Sequence, residues 1–129
     1  MKRIAVVNRT RGTTLGMHIA VADRWWSRLR GLIGRPEPRP GEGMMLMWCR
    51  AVHLHGIRYP LDIAFVDRHG AVVALYPGLR PNAWTRWHRR AAHVLELPAG
   101  TLEATGTREG DALEWDDAAR VAAQAAEAR

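Results

Sequence analysis

Apolar residues in this chain fall into short runs punctuated by Gly, Pro, Asn and Asp, a pattern that suits strands and leaves little room for long helices. The clearest case is Leu61-Asp62-Ile63-Ala64-Phe65-Val66 and Ala71-Val72-Val73-Ala74-Leu75-Tyr76, which flank Asp67-Arg68-His69-Gly70. Gly70 can adopt positive φ, so the pair reads as a hairpin. Residues 3–7 and 13–21 form a second strand pair around the turn-forming stretch Asn8 to Gly12. Residues 44–49 read as a buried strand, 92–97 as a strand stopped by Pro98, and 112–115 as a last short strand after Gly110-Asp111. The segment 36–43 holds three prolines and two glycines, which makes it a loop.

One helix is predicted over about 23–34. Asp23 stands at the N-cap, Trp25, Trp26, Leu29, Leu32 and Ile33 recur at spacings of three and four as a core-facing stripe, and Gly34 and Pro36 end it. Arg24, Arg28 and Arg35 gather on its opposite face. From Asp116 onward the chain is Ala-rich and reads as a peripheral helix or tail. Neighbouring strands joined by turns favour antiparallel pairing. The expected fold is therefore α+β and mainly β: a curled or barrel-like, mostly antiparallel sheet with one amphipathic helix and a peripheral C-terminal helix. A single domain is expected over 1–115, followed by the C-terminal helix or tail over 116–129.

At 129 residues, 47% apolar and 25% charged, one core is expected. Cys49 is the only cysteine, which excludes an internal disulfide framework. No apolar stretch approaches the roughly 20 residues of a membrane-spanning helix, and the amino terminus lacks the apolar length of a secretory leader. A cytoplasmic location is the expectation. Charge is uneven: residues 1–95 carry 16 Lys+Arg against 5 Asp+Glu, and residues 96–129 carry 3 against 8. A basic body of this kind can attract phosphate backbones or anionic lipid.

The segment Cys49-Arg50-Ala51-Val52-His53-Leu54-His55-Gly56-Ile57-Arg58-Tyr59-Pro60-Leu61-Asp62-Ile63-Ala64-Phe65-Val66-Asp67 resembles the family catalogued as domain of unknown function 192. Ser27-Arg28-Leu29-Arg30-Gly31-Leu32-Ile33-Gly34-Arg35, Val94-Leu95-Glu96-Leu97-Pro98-Ala99-Gly100 and Gly110-Asp111 match it in order and spacing, from about residue 15 to 115. The resemblance implies a small strand-rich domain, found alone or behind an export signal, with no established catalytic activity. His55 and Ile57 stand where the family commonly has an aromatic residue and a methionine.

Ser27, the only serine, lies in the predicted helix rather than a nucleophile elbow, and Lys2, the only lysine, follows no phosphate loop. Cys49, His53 and His55 share strand parity, but Cys49 and His53 would lie roughly 13 Å apart along a strand. They are therefore secondary metal candidates, and no metal or other cofactor is called for. Asp62 and Glu96 interrupt apolar runs, and a carboxylate there must be hydrogen-bonded, paired or neutral. Arg58, Arg28 and the backbone N–H groups of 55–59 are the expected partners of Asp62. Trp84, Arg86, Trp87, His88, Arg89 and Arg90 form an exposed aromatic and basic loop. The expected function is a non-enzymatic binding or accessory domain for a small molecule or protein partner. Its polar pocket near the 53–62 loop uses His53, Arg58, Asp62 and Glu96, with Trp84 and Trp87 at the rim. Electrostatic nucleic-acid binding through the arginine face, and a metal-dependent hydrolytic site at His53/His55, are the alternatives.

Overall fold

The computed structural model of the chain describes residues 1–127. In chain order the elements are β1 (Arg3–Asn8), β2 (Thr13–Ala22), α1 (Trp25–Arg30), β3 (Glu42–Leu46), β4 (Leu61–Val66), β5 (Val72–Leu79), β6 (His93–Pro98), α2 (Thr101–Thr105), β7 (Leu113–Asp117) and α3 (Ala118–Glu127). The strands form one curled half-barrel sheet of seven strands in the order β5-β4-β6-β3-β2-β1-β7. All pairings are antiparallel except β2 with β3, whose connection carries α1. The fold is α+β and mainly β, as the turn pattern implies.

Two apolar clusters line the two faces of this sheet. The concave face packs Ile4, Val6, Ile19, Met45, Ala64, Val66, Leu95, Leu97 and Leu113. The other face packs Met44, Leu46, Ile63, Phe65 and Val94 beneath Leu32, Val52, Leu54 and Ile57. Strand β4 is therefore buried at every position and β6 at all but its last. Period-two alternation gives each face its own set of side chains.

The sheet curls until its edges meet at one end. Ala71 bridges Ala112, Val72 N–H donates to the Asp111 carbonyl at 2.9 Å, and Leu113 N–H donates to the Gly70 carbonyl at 2.8 Å. Gly70 sits at φ 91°, and a Cβ there would collide with the Leu113 carbonyl, so glycine is required for this approach as well as for the turn. Buried Asp111 fastens the junction. Its Oδ2 accepts from Asn8 Nδ2, Arg11 Nε and Arg108 N–H at 3.0, 3.0 and 2.9 Å, and its Oδ1 from Arg11 Nη2 at 3.1 Å.

The helix expected over 23–34 is shorter and turned the other way. It spans Trp25–Arg30 and stops at Gly31, whose φ 50° and ψ −125° no helix can continue. Trp25, Trp26 and Leu29 are 68%, 54% and 68% exposed, and Ser27 is the side chain that faces inward. Asp23 does not cap it; Ser27 Oγ instead accepts the Arg24 N–H at 3.2 Å. Arg35 lies beyond the helix end, so the three-arginine face is not formed. The short helix α2, which lies against β2, has no counterpart in the apolar pattern. Helix α3 buries no residue and lies against β1 and β7; residues 128 and 129 of the expected C-terminal segment fall outside the described residues.

The hydrogen bonds to Asp111, led by that from Arg11, hold its carboxyl down at about 2, below the ordinary 3.8. Its folded-state pKa lies below the unfolded value, so its stabilisation is complete above pH 3.8 and disappears as pH falls to about 2. Acid-induced unfolding of Asp111→Asn, followed by circular dichroism, is expected to lack the part of the wild-type slope that falls in this window.

Candidate functional site

Asp62 and Glu96 are the carboxyl groups carried on β4 and β6, and the sheet treats them oppositely. Both are almost wholly buried, at 1% and 2% exposure. Strand register pairs Ile63 with Glu96 and Asp62 with Leu97, so the two carboxyl groups point to opposite faces.

Asp62 faces the concave side and is saturated by backbone donors. Its Oδ1 accepts from Gly78 N–H at 2.8 Å, and its Oδ2 from Gly100 N–H at 3.1 Å and Leu102 N–H at 2.8 Å. The carboxylate thus ties β5 and the start of α2 to β4. The partners expected from Arg58, Arg28 and the 55–59 loop are not the ones it has, because that loop lies over the other face. Arg58 is exposed beside a separate cavity with Arg35, Glu37 and Tyr59.

Glu96 faces the other side, where it meets no donor. Its Oε1 is buried without a hydrogen-bond partner, and burial raises its pKa from 4.5 to about 7. Gly31 closes over it, with a position 3.0 Å from Oε1 where any other residue would carry its Cβ. Glu96 contributes to the floor of a groove of about 400 Å³, together with Leu46 and Gly31. Trp25, Arg28 and Leu29 form one wall, and Trp48, Cys49, Val52, His53 and Ile57 the other. Trp84, 72% exposed, lies over the His53 ring with centroids 4.9 Å apart, and so extends the second wall outward.

The polar groups along this groove are tied locally. Arg28 Nη1 donates to the Met47 carbonyl at 3.2 Å, Cys49 Sγ to the Ala51 carbonyl at 3.1 Å, and His53 Nδ1 accepts the His55 N–H at 3.2 Å. Burial pushes the Cys49 thiol up, away from the reactive thiolate. Trp48 takes φ 56°, and its N–H donates to His93 Nδ1 at 3.0 Å. That bond sets the tryptophan as a ridge between the groove and a second cavity lined by Arg50, Trp87 and Arg90.

Of the residues singled out in the sequence, Cys49, His53 and Glu96 line one groove, and Trp84 stacks on His53. Asp62, Arg58 and Trp87 lie elsewhere. His53 and His55 stand with ring centroids 6.2 Å apart, and among the described residues no group of three His, Cys, Asp or Glu side chains is placed to hold a metal. Sequence reasoning missed Gly31, Trp25, Leu29 and Trp48. Only Gly31, a glycine inside the predicted helix, carried a signal.

These features define a half-barrel domain with an aromatic-walled groove over one unpartnered carboxyl. The chain belongs to the DUF192 family, described as "Uncharacterized ACR", which matches residues 6–115. A UPF0127 protein of Pyrococcus furiosus is 30% identical over 115 residues, covering 86% of this chain and 97% of that one. Another, from Thermococcus sibiricus, is 23% identical over 120 residues, covering 86% and 74%. Among solved structures, a protein of unknown function from Novosphingobium aromaticivorans shares the fold, with a TM-score of 0.75 at 22% identity, covering 88% of this chain and 84% of its own.

Two substitutions separate the roles of the buried carboxyls. Asp62→Ala leaves three backbone donors unpaired and is expected to cost about 3 kcal/mol of unfolding free energy in urea. Glu96→Gln acts differently. Because folding raises its pKa, the wild type loses stability as pH climbs from 4.5 through about 7. The difference in unfolding free energy between the two proteins is expected to move in favour of Gln by about 3 kcal/mol across that window. Burial lowers the pKa values of His88 and His93, whose contributions run the other way below 6.5 and cancel in the difference.

Proposed function

We propose that this protein is a non-enzymatic binding or accessory domain whose site is the groove between α1 and the 48–57 segment. The observation that carries this reading is the Glu96 carboxyl, buried beside the groove with Oε1 unpartnered. A buried acceptor without a donor costs free energy, and a bound molecule that brings the donor recovers it. The apolar and aromatic walls suit a ligand with a flat or aliphatic body, and the floor suits one hydroxyl, amide or amine group on it. His53 remains a site residue, and Trp84 forms part of the rim. Asp62 serves this site only by bracing the opposite face of β4.

Catalysis is the weaker reading because the nucleophilic groups at the groove are not paired for it. The Cys49 thiol is bonded to a backbone carbonyl, and His53 to a backbone N–H. Productive arrangements place nucleophile and base within hydrogen-bond reach of each other.

Native mass spectrometry of protein purified without an affinity tag, followed by NMR titration with whatever it retains, tests the proposal. The expected result is a small apolar molecule bearing one donor group, which shifts the Trp25 and Trp48 indole signals. Glu96→Leu is expected to weaken its binding at least ten-fold. Binding that leaves those signals unmoved and survives Glu96→Leu would place the site elsewhere.

A further inference from the structure

Five of the six tryptophans, Trp25, Trp26, Trp48, Trp84 and Trp87, are more than half exposed. Tryptophan is ordinarily well buried, so this distribution requires an explanation. All five lie on the segments that cover the face of the sheet opposite its concave side. Trp25 and Trp48 border one cavity, Trp48 and Trp87 border the next, and Trp84 stacks on His53, which lines the first.

Helix α1 shows what such a face fits. At 100° per residue, Trp25, Leu29 and Trp26 span an arc of roughly 100°, and Ser27 points roughly opposite its middle, into the protein. Arg28 and Arg30 stand on the two shoulders of the arc, roughly 60° and 40° beyond its ends. An apolar arc turned outward, with the exposed Arg30 on one shoulder and Arg28, held to the Met47 carbonyl, on the other, suits a helix lying in a bilayer interface, its apolar side in the acyl boundary and Arg30 among the phosphates. Arg24, Arg50, Arg86, Arg89 and Arg90 are also exposed on these segments. Asp23, Glu37, Asp67 and Glu109 are the carboxylates nearby, fewer than the arginines, and Asp67 Oδ1 is occupied by the N–H groups of His69 and Ala71. The acidic residues of β7 and α3 lie on other elements, against β1.

We propose that this face docks on an anionic lipid bilayer, with Trp25, Trp26 and Leu29 entering the boundary between headgroups and acyl chains and the surrounding arginines meeting lipid phosphates. This is attachment to a surface; no helix among the described residues is long and apolar enough to cross a membrane. Trp25 and Leu29 also wall the groove, but the docking makes no use of the Glu96 carboxyl on which the groove reading rests.

Flotation of the whole protein with vesicles tests this, using phosphatidylcholine alone against phosphatidylcholine with 30% phosphatidylglycerol, read together with tryptophan emission. Binding is expected to the anionic vesicles, with a blue shift, and to fall as salt is raised. Arg89→Gln and Arg90→Gln are each expected to weaken it about five-fold. The triple variant Trp25→Ala, Trp26→Ala, Leu29→Ala alters exposed side chains, so it is expected to keep the wild-type unfolding midpoint and lose vesicle binding. Glu96→Gln is expected to keep vesicle binding, which separates this proposal from the groove reading. Three results would overturn it: no binding to anionic vesicles at low salt, vesicle binding unchanged in the triple variant, or a stable dimer in sedimentation that the triple variant abolishes. Preference for a single-stranded oligonucleotide that displaces the protein from vesicles would overturn it in favour of nucleic acid.

Discussion

A carboxyl group on a strand that is buried on both faces must be given donors or lose its charge. Strands β4 and β6 each carry one, at Asp62 and Glu96, and the rest of the molecule can be understood as two answers to that requirement. Ionised carboxylates in an apolar interior are tolerated when hydrogen bonds replace the lost water. Asp62 obtains three from backbone that has no other use for them: Gly78 at the end of β5 and Gly100 and Leu102 at the start of α2. The helix is only five residues long, and its N-terminal N–H groups need acceptors as much as Asp62 needs donors. Each satisfies the other, which fixes a turn and a helix that have little apolar packing to hold them.

Glu96 receives the opposite treatment. Nothing that packs on its side of the sheet offers a donor to Oε1, although Arg28 is close enough to line the same groove. That guanidinium is directed at the Met47 carbonyl, at the point where β3 has ended and the chain turns through Trp48 with positive φ. The arginine therefore solves a backbone problem and leaves the carboxyl unsolved. Structural carboxyls are not ordinarily left this way, because burying a polar atom without a partner is costly. A group kept at that cost, buried beside an open groove, is the reason to read the groove as a site.

Much of the sheet is legible in the sequence because its signals are local. The β4–β5 hairpin is written in two apolar runs with Gly70 at the turn between them, and the β1–β2 hairpin in two more around Asn8 to Gly12. That Asp62 and Glu96 are special is equally legible, since each interrupts an apolar run. Which face each one occupies is not: it depends on the register between β4 and β6, strands separated by the whole of β5 and a long loop. The donors to Asp62 are 16, 38 and 40 residues away and are backbone groups, which leave no mark on composition. The parallel pairing of β2 with β3 is hidden for the same reason, because only the crossover through α1 produces it.

The inverted helix is the most instructive departure. Spacing alone says that Trp25, Trp26 and Leu29 share a side, and the ordinary inference is that this side faces the core. It assumes that what lies beneath is apolar. Beneath α1 lie instead the Glu96 carboxyl and the carbonyl of Met47, so the inward positions go to Ser27, to the donor Arg28 and to Gly31, whose bare backbone can approach Oε1. Once those three positions are committed, helical geometry leaves the apolar residues nowhere to point but outward. The buried carboxyl and the exposed tryptophans are thus consequences of one arrangement. A polar floor under the helix places its apolar side in contact with whatever surrounds the protein.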